Sequence, residues 1–196
     1  MEEELKPKPS VRSAISEIIQ TAVISLLIFF AVYLFLVQPH RVKGESMVPT
    51  YKDGELLLVE KVSYRLYKPS RGDVIVFKAP GQTKVDFIKR IIGLPGESVK
   101  LQDSKIYING KRLNESYEKQ LTAGDVELVL GPDQYYVMGD NRGGSSDSRV
   151  FGPIQRNTIE GKAWFVYWPL LKSDKSEGAR VILRVDYGVP DSFYYR

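Results

Sequence analysis

The rhythm of apolar positions changes once along this chain. From Ile18 to Val37 no residue is charged, and a helix of about 20 residues rising 1.5 Å each spans roughly 30 Å, the thickness of a bilayer core. The run predicts one transmembrane helix. Before it, residues 1–17 carry Glu2, Glu3, Glu4, Lys6, Lys8 and Arg12 with two prolines and read as a flexible polar tail. The run is longer than the h-region of a cleavable signal, and Val37-Gln38-Pro39-His40 offers no pair of small residues for cleavage. An uncleaved anchor is expected.

After Pro49 the pattern falls to period two, in short apolar runs punctuated by Gly and Pro. Glu55 to Val62, Asp73 to Lys78, Phe87 to Gly93, Ser98 to Leu101, Ile106 to Ile108, Val126 to Leu130, Tyr135 to Met138, Ala163 to Tyr167 and Val181 to Asp186 predict strands. Asn109-Gly110 between two such runs predicts a two-residue hairpin, because both residues tolerate positive φ. No tandem repeat or low-complexity linker is present, so a second region must be an insertion within the sheet. The expected architecture is mostly β, an antiparallel sheet domain over residues 38–196 with a small inserted hairpin region at about 97–134.

The chain has 196 residues, 43% hydrophobic and 27% charged, an ordinary globular composition. It has no cysteine, which removes disulfides, thiolate nucleophiles and zinc-thiolate sites. A single histidine, His40, leaves little material for histidine metal sites or relays; no metal or cofactor is expected. The net charge of +4 is spread among acidic residues without the dense basic stripe of a nucleic-acid binder, and reads as mild attraction to anionic lipid. Lys6, Lys8 and Arg12 before the apolar run balance Arg41, Lys43 and Lys52 after it, so charge does not set the orientation.

Three stretches carry candidate chemistry. In Gly44-Glu45-Ser46-Met47-Val48-Pro49-Thr50, the serine sits on backbone that neither continues a helix nor pairs fully as a strand; the segment is a polar loop leaving the anchor or an exposed nucleophile. His40 is about six extended residues from Ser46, nearly 20 Å, and is read as a residue at the membrane exit. A serine nucleophile here needs another base, and lysine serves when burial keeps it neutral. Lys89 alternates with Phe87 and Ile91 on one strand face. Being half neutral near pH 7 needs about 4 kcal/mol of destabilisation of its charged form, which desolvation can supply; the plainer reading is a lysine snorkelling from an edge strand. The loop from Met138 to Arg149 fails as a calcium loop or phosphate cradle. It reads either as a surface turn or as a rigid loop whose Asp140 and Asp147 pair with arginines and present a serine to a buried lysine.

Together, Gly44 to Thr50, Arg71 to Phe77, Lys89 to Glu97 and Gly139 to Arg149, in that order behind an anchor, resemble the sequence boxes of type I signal peptidases. The single anchor and short insert are similar to the compact bacterial, cyanobacterial or organellar form. The resemblance implies a serine endopeptidase that removes signal peptides from exported preproteins after small-x-small motifs. It implies Ser46 as nucleophile, Lys89 as general base and Ser145 as the residue orienting Lys89. Arg90 with Asp140, and Asp147 with Arg149, would support the loop. The Ser46 backbone N–H would enter the oxyanion hole. Some relatives place a serine two positions before the nucleophile as a second donor; here that position is Gly44.

The resemblance also implies recognition by strand addition, with Met47, Ile75 to Phe77 and Asp86 to Ile88 lining shallow pockets. The implied partners are preprotein signal peptides and the lipid bilayer, not nucleic acid. A monomer is expected, single-pass in a cytoplasmic or thylakoid-type membrane, with its catalytic domain on the extracytoplasmic side. Arg71-Gly72-Asp73 reads as a turn entering a strand rather than an integrin-binding tripeptide. Ala163 to Pro169 reads mostly as strand core, with the lipid interface as the alternative for one tryptophan. Two other functions stay open: a self-cleaving serine/lysine regulator, disfavoured by the anchor and the lack of a DNA-binding helix pair, and a non-enzymatic membrane-tethered β module.

Overall fold

The computed structural model describes residues 11–117, 121–174, 176–182, 185 and 187–191. The chain divides into an N-terminal unit ending at Val37 and a second unit beginning at Gln38. The first contains helix α1, Val11–Phe35, of which Val11–Tyr33 is long and apolar enough to cross a membrane. Ile18, Leu27 and Phe29 on this helix are exposed. The helix starts seven residues before the uncharged run. Absence of charge marks what tolerates hydrocarbon, whereas Arg12, Ser13, Ala14 and Glu17, with no Pro or Gly among them, simply continue the helix. Val37 belongs instead to the next strand.

The second unit is built on two antiparallel sheets. Strands β1 (Val37–Arg41), β2 (Leu56–Glu60), β3 (Val74–Ala79), β4 (Gln82–Gly93), β9 (Gln134–Met138), β10 (Ile154–Gln155), β11 (Ile159–Trp168) and β12 (Arg180–Val181) form the large one. Its order is β1-β2-β11-β3-β4-β9-β10, with β12 also on β11. The small sheet, β7-β6-β5-β8, comprises β5 (Ser98–Gln102), β6 (Lys105–Ile108), β7 (Lys111–Arg112) and β8 (Val126–Val129). It interrupts the chain between β4 and β9, which pair directly with each other. The β6–β7 turn places Asn109 at φ 51° and Gly110 at φ 76°, the two left-handed residues a type I′ hairpin requires.

Period-two alternation distributes the core. On β3, Val74 and Val76 join Met47, Tyr51, Leu57, Val59 and Val166 on one side, while Ile75 and Phe77 join Ile91, Tyr135, Val137 and Ile154 on the other. A third cluster joins Val99, Leu101, Ile106 and Ile108 of the small sheet to Ile92, Tyr136 and Met138. Both faces of the central strands are therefore covered.

Several local features depart from the sequence pattern. The run expected to continue to Val62 stops at Glu60 and turns into α2, Ser63–Leu66. A second short helix, α3 (Ser148–Phe151), starts under the side-chain cap of Asp147. Half of the expected strand Val181 to Asp186, residues 183, 184 and 186, lies outside the described residues. On β11, Ala163 and Val166 are core, but Trp164 and Trp168 are both exposed. Arg71 is buried in a bidentate pair with Glu97 at 2.9 and 2.6 Å, so the Arg71-Gly72-Asp73 tripeptide is an internal turn.

Candidate active site

Ser46 lies in the turn over residues 44–50, between β1 and β2. Val48 N–H donates to Glu45 C=O at 3.2 Å and Tyr51 N–H to Met47 C=O at 2.9 Å, closing the segment with two turn hydrogen bonds. Met47 and Tyr51 anchor it from beneath, both fully buried. From above, Asn141 donates its backbone N–H to Ser46 C=O at 3.0 Å and its side-chain amide to Glu45 C=O at 3.1 Å. Gly44 N–H donates to Asp53 Oδ1 at 2.7 Å, so it is not free for a ligand.

Lys89 reaches this turn from β4. Pairing β4 against β3 sets Lys89 opposite Ile75, and the side chain is 4% exposed. Its Nζ is 2.7 Å from Ser46 Oγ and donates to Ile88 C=O at 2.9 Å; it also stands 5.3 Å from the centre of the Phe87 ring. Burial pulls the amine down to about 8, although the Asp147 and Asp140 carboxylates work in the opposite direction. The ammonium is thus destabilised by about 3 kcal/mol relative to water, close to what a lysine base requires near neutral pH.

The next residue faces the other way. Arg90 forms a buried fork with Asp140, Nε to Oδ1 at 2.7 Å and Nη2 to Oδ2 at 2.6 Å, and donates to Gly72 C=O at 3.0 Å. Its guanidinium also lies 4.3 Å above the Tyr117 ring. Burial opposes its charge, but Asp140 outweighs burial and raises the pKa further. Thr50, at the end of the serine turn, donates its hydroxyl to Asp140 and accepts from Arg90 at 3.2 Å. Turn, strand and loop therefore meet at one ion pair.

The loop from Gly139 to Arg149 is fixed by Asp147, whose carboxylate accepts from Arg149 Nε at 2.8 Å and Nη2 at 2.9 Å and from Gly139 N–H at 3.1 Å. Burial favours the neutral acid, but these donors prevail and hold its pKa below the usual range. Arg149 also reaches Arg142 C=O at 2.6 Å. Ser145 does not hydrogen-bond Lys89. Its Oγ is buried without a partner at hydrogen-bond geometry, though it stands near enough to Asp147 to help depress that carboxyl. The implied hydrogen bond from Ser145 to Lys89 is not formed here; the amine contacts Ser46 Oγ and the Ile88 carbonyl.

A groove of about 270 Å³ opens over Ser46 and Lys89, lined by His40, Val42, Leu57, Val76, Asp86, Phe87, Ile88 and Ser146 among others. Of the residues expected to line a pocket, Val76, Asp86, Phe87 and Ile88 do so. Met47, Ile75 and Phe77 do not: all three are fully buried in the core. Strand parity explains two of them, since Val76 faces the groove and its neighbours on β3 face the opposite side. His40, read from sequence as a membrane-exit residue, is a groove residue, with a buried Nε2 lacking a partner and burial lowering its pKa against the opposing effect of Asp86. Thr50 and Asn141 sit inside stretches already singled out, but nothing local marks them as the residues gripping Ser46.

Fold and site define a class of β-rich protein in which a turn serine and a buried lysine of lowered pKa lie within proton-transfer distance at the floor of an open groove. The family model described as signal peptidase, peptidase S26, matches residues 15–168. A probable signal peptidase I-2 of Synechocystis is 37% identical over 160 residues, covering 79% of this chain and 73% of that one. Signal peptidase IB of Staphylococcus aureus is 35% identical over 178 residues, covering 81% and 92%. A crystal structure of a signal peptidase I from Enterococcus faecalis, 35% identical, covers 49% of this chain and 97% of its own at a TM-score of 0.45. The chain belongs to the signal peptidase family, peptidase S26.

Proposed function

We propose that this protein is a membrane-anchored endopeptidase that removes N-terminal signal peptides from exported preproteins, cutting after small-x-small motifs with Ser46 and Lys89 as its catalytic pair. The observation that carries this reading is the 2.7 Å approach of Lys89 Nζ to Ser46 Oγ, by an amine whose pKa burial lowers to about 8. Neutral Lys89 takes the Ser46 proton as Oγ attacks the scissile carbonyl carbon. The resulting oxyanion is met by the Ser46 N–H, which has no hydrogen-bond partner among the described residues; one such donor is worth about 3 kcal/mol. The Lys89 ammonium then protonates the leaving amine as the C–N bond breaks, leaving an acyl ester on Ser46. Water, deprotonated by Lys89, hydrolyses that ester and Ser46 recovers its proton.

The substrate strand lies in the groove, where small side chains before the cut fit against Val42, Leu57, Val76 and Ile88. On this reading α1 is the single-pass anchor, the catalytic domain lies on the extracytoplasmic side, and the partners are preproteins and lipid. The test is to incubate detergent-purified full-length protein with a preprotein and sequence the product. Wild type is expected to release a chain starting just after a small-x-small sequence, and Ser46→Ala and Lys89→Met are expected to leave the preprotein intact. Cleavage by both variants would overturn the proposal.

A further inference from the structure

A second ion pair, between partly buried Arg180 and fully buried Glu55, also holds the end of the Ser46 turn. Arg180, at the start of β12, forks onto Glu55, with Nη1 to Oε1 and Nη2 to Oε2 both at 2.8 Å. The same Nη2 donates to the C=O of Thr50 at 2.6 Å. Glu55 is 1% exposed and saturated with donors, accepting also from Ser176 Oγ at 2.5 Å and Lys52 N–H at 3.1 Å. Its own C=O accepts from Val42 N–H at 2.8 Å, ahead of the turn. Arg180 and Ser176 lie beyond residues 15–168, the part of the chain that the family match covers.

Thr50 is where the two pairs meet. Its hydroxyl belongs to Arg90 and Asp140, its carbonyl to Arg180 and Glu55. Between Thr50 and Ser46 the backbone is one hydrogen-bonded turn, too short to absorb a displacement. A shift at Thr50 is therefore transmitted to Ser46 Oγ. A carbonyl held by an arginine, itself clamped bidentately to a buried carboxylate, has little freedom.

We propose that Arg180 and Glu55 are positioning residues that hold Ser46 Oγ at its working distance from Lys89 through the Thr50 carbonyl, so that the C-terminal segment closes the nucleophile turn. This rests on the reading of Ser46 as nucleophile. The pair touches no substrate and lies outside the groove lining, so its loss acts on the chemical step rather than on binding.

Three variants test this. Arg180→Gln strands a buried carboxylate and can fail to fold. The double variant Arg180→Met with Glu55→Leu removes both charges, a change that folded proteins commonly tolerate. Each is purified in full-length form, its thermal midpoint recorded, and kcat and KM measured on a preprotein beside wild type and Ser46→Ala. For the double variant, a wild-type-like melt is expected, with kcat down about 10- to 100-fold, the effect of misplacing a reacting atom by about 1 Å, and KM within about twofold. Arg180→Lys, which can still reach the Thr50 carbonyl, should recover part of the loss. A folded double variant with wild-type kcat, or a kcat that falls only in step with the folded fraction, would overturn the proposal. If instead Ser46→Ala cleaves like wild type, the nucleophile assignment itself fails, and this inference with it.

Discussion

Lys89 and Arg90 are consecutive on β4 and their side chains leave in opposite directions, one to Ser46 Oγ and the other to the Asp140 carboxylate. Both are almost fully buried, yet their protonation goes opposite ways. Lys89 has a neutral hydroxyl and a carbonyl as partners, so burial wins and its pKa falls. Arg90 has a bidentate carboxylate, which outweighs burial and fixes its charge. One strand thus delivers a base to the groove and an anchor to the loop behind it.

The first prediction concerns pH. With Lys89 at about 8, about one molecule in ten carries the neutral amine at pH 7, and kcat/KM should rise through about pH 8 before levelling. A limb near pH 4 to 5, the region of carboxylate reference values, would assign the base to Asp or Glu. Lys89→Arg, which keeps its proton at every accessible pH, should be inactive throughout.

Stability should move against activity at the same residue. Because the folded-state pKa of Lys89 lies below the ordinary lysine value of 10.5, the unfolded chain binds more protons between about pH 8 and 10.5, and stability rises with pH across that window. Below about pH 8 the full cost of the buried ammonium is present. Lys89→Met should therefore stabilise the protein by about 1 to 2 kcal/mol at pH 7, a rise of about 3 to 6 °C in melting temperature. The advantage should shrink toward pH 10.5. Thermal melts of both proteins at pH 7 and pH 10 check this, and a destabilised Lys89→Met would refute it.

Asp140→Asn leaves Arg90 as an unpaired buried cation and should cost about 3 to 5 kcal/mol. Replacing both partners, Arg90→Met with Asp140→Leu, should restore most of that stability without restoring activity, since Thr50 then loses its side-chain anchors. Denaturant unfolding alongside a cleavage assay separates the two effects.

Gly139 is required by proximity. A Cβ there would stand 2.3 Å from Ser145 Oγ and 2.5 Å from the Ser46 carbonyl oxygen, closer than any normal contact. Gly139→Ala should displace the Ser46 backbone and lower kcat by about 100-fold, with a smaller effect on KM. A variant with wild-type kcat would show that the loop can yield without moving Ser46.

Much of this protein was legible before any coordinates. The uncharged run gave α1, period two gave most strands, and Asn109-Gly110 gave the β6–β7 turn, because each signal is written in residues adjacent along the chain. Ser46, Lys89 and the Gly139 to Arg149 loop each had a plainer local reading, and it was their order behind the apolar run, in the pattern that resembles the signal peptidase boxes, that singled them out. What the local pattern could not decide was everything set by register. Period-two reasoning places Ile75 and Phe77 on one face but not on which one, and only the pairing of β3 with β4 and β11 decides that Val76 packs in the core cluster bordering the groove while Ile75 and Phe77 pack in the other. The Thr50 carbonyl, Arg180 and Glu55 meet across 125 to 130 positions of sequence, and no short window contains that contact. Sequence alone determined which elements form and which side chains have the chemistry; the tertiary structure decided which of them meet, because a proton transfer depends on a distance of 2.7 Å that only long-range packing can set.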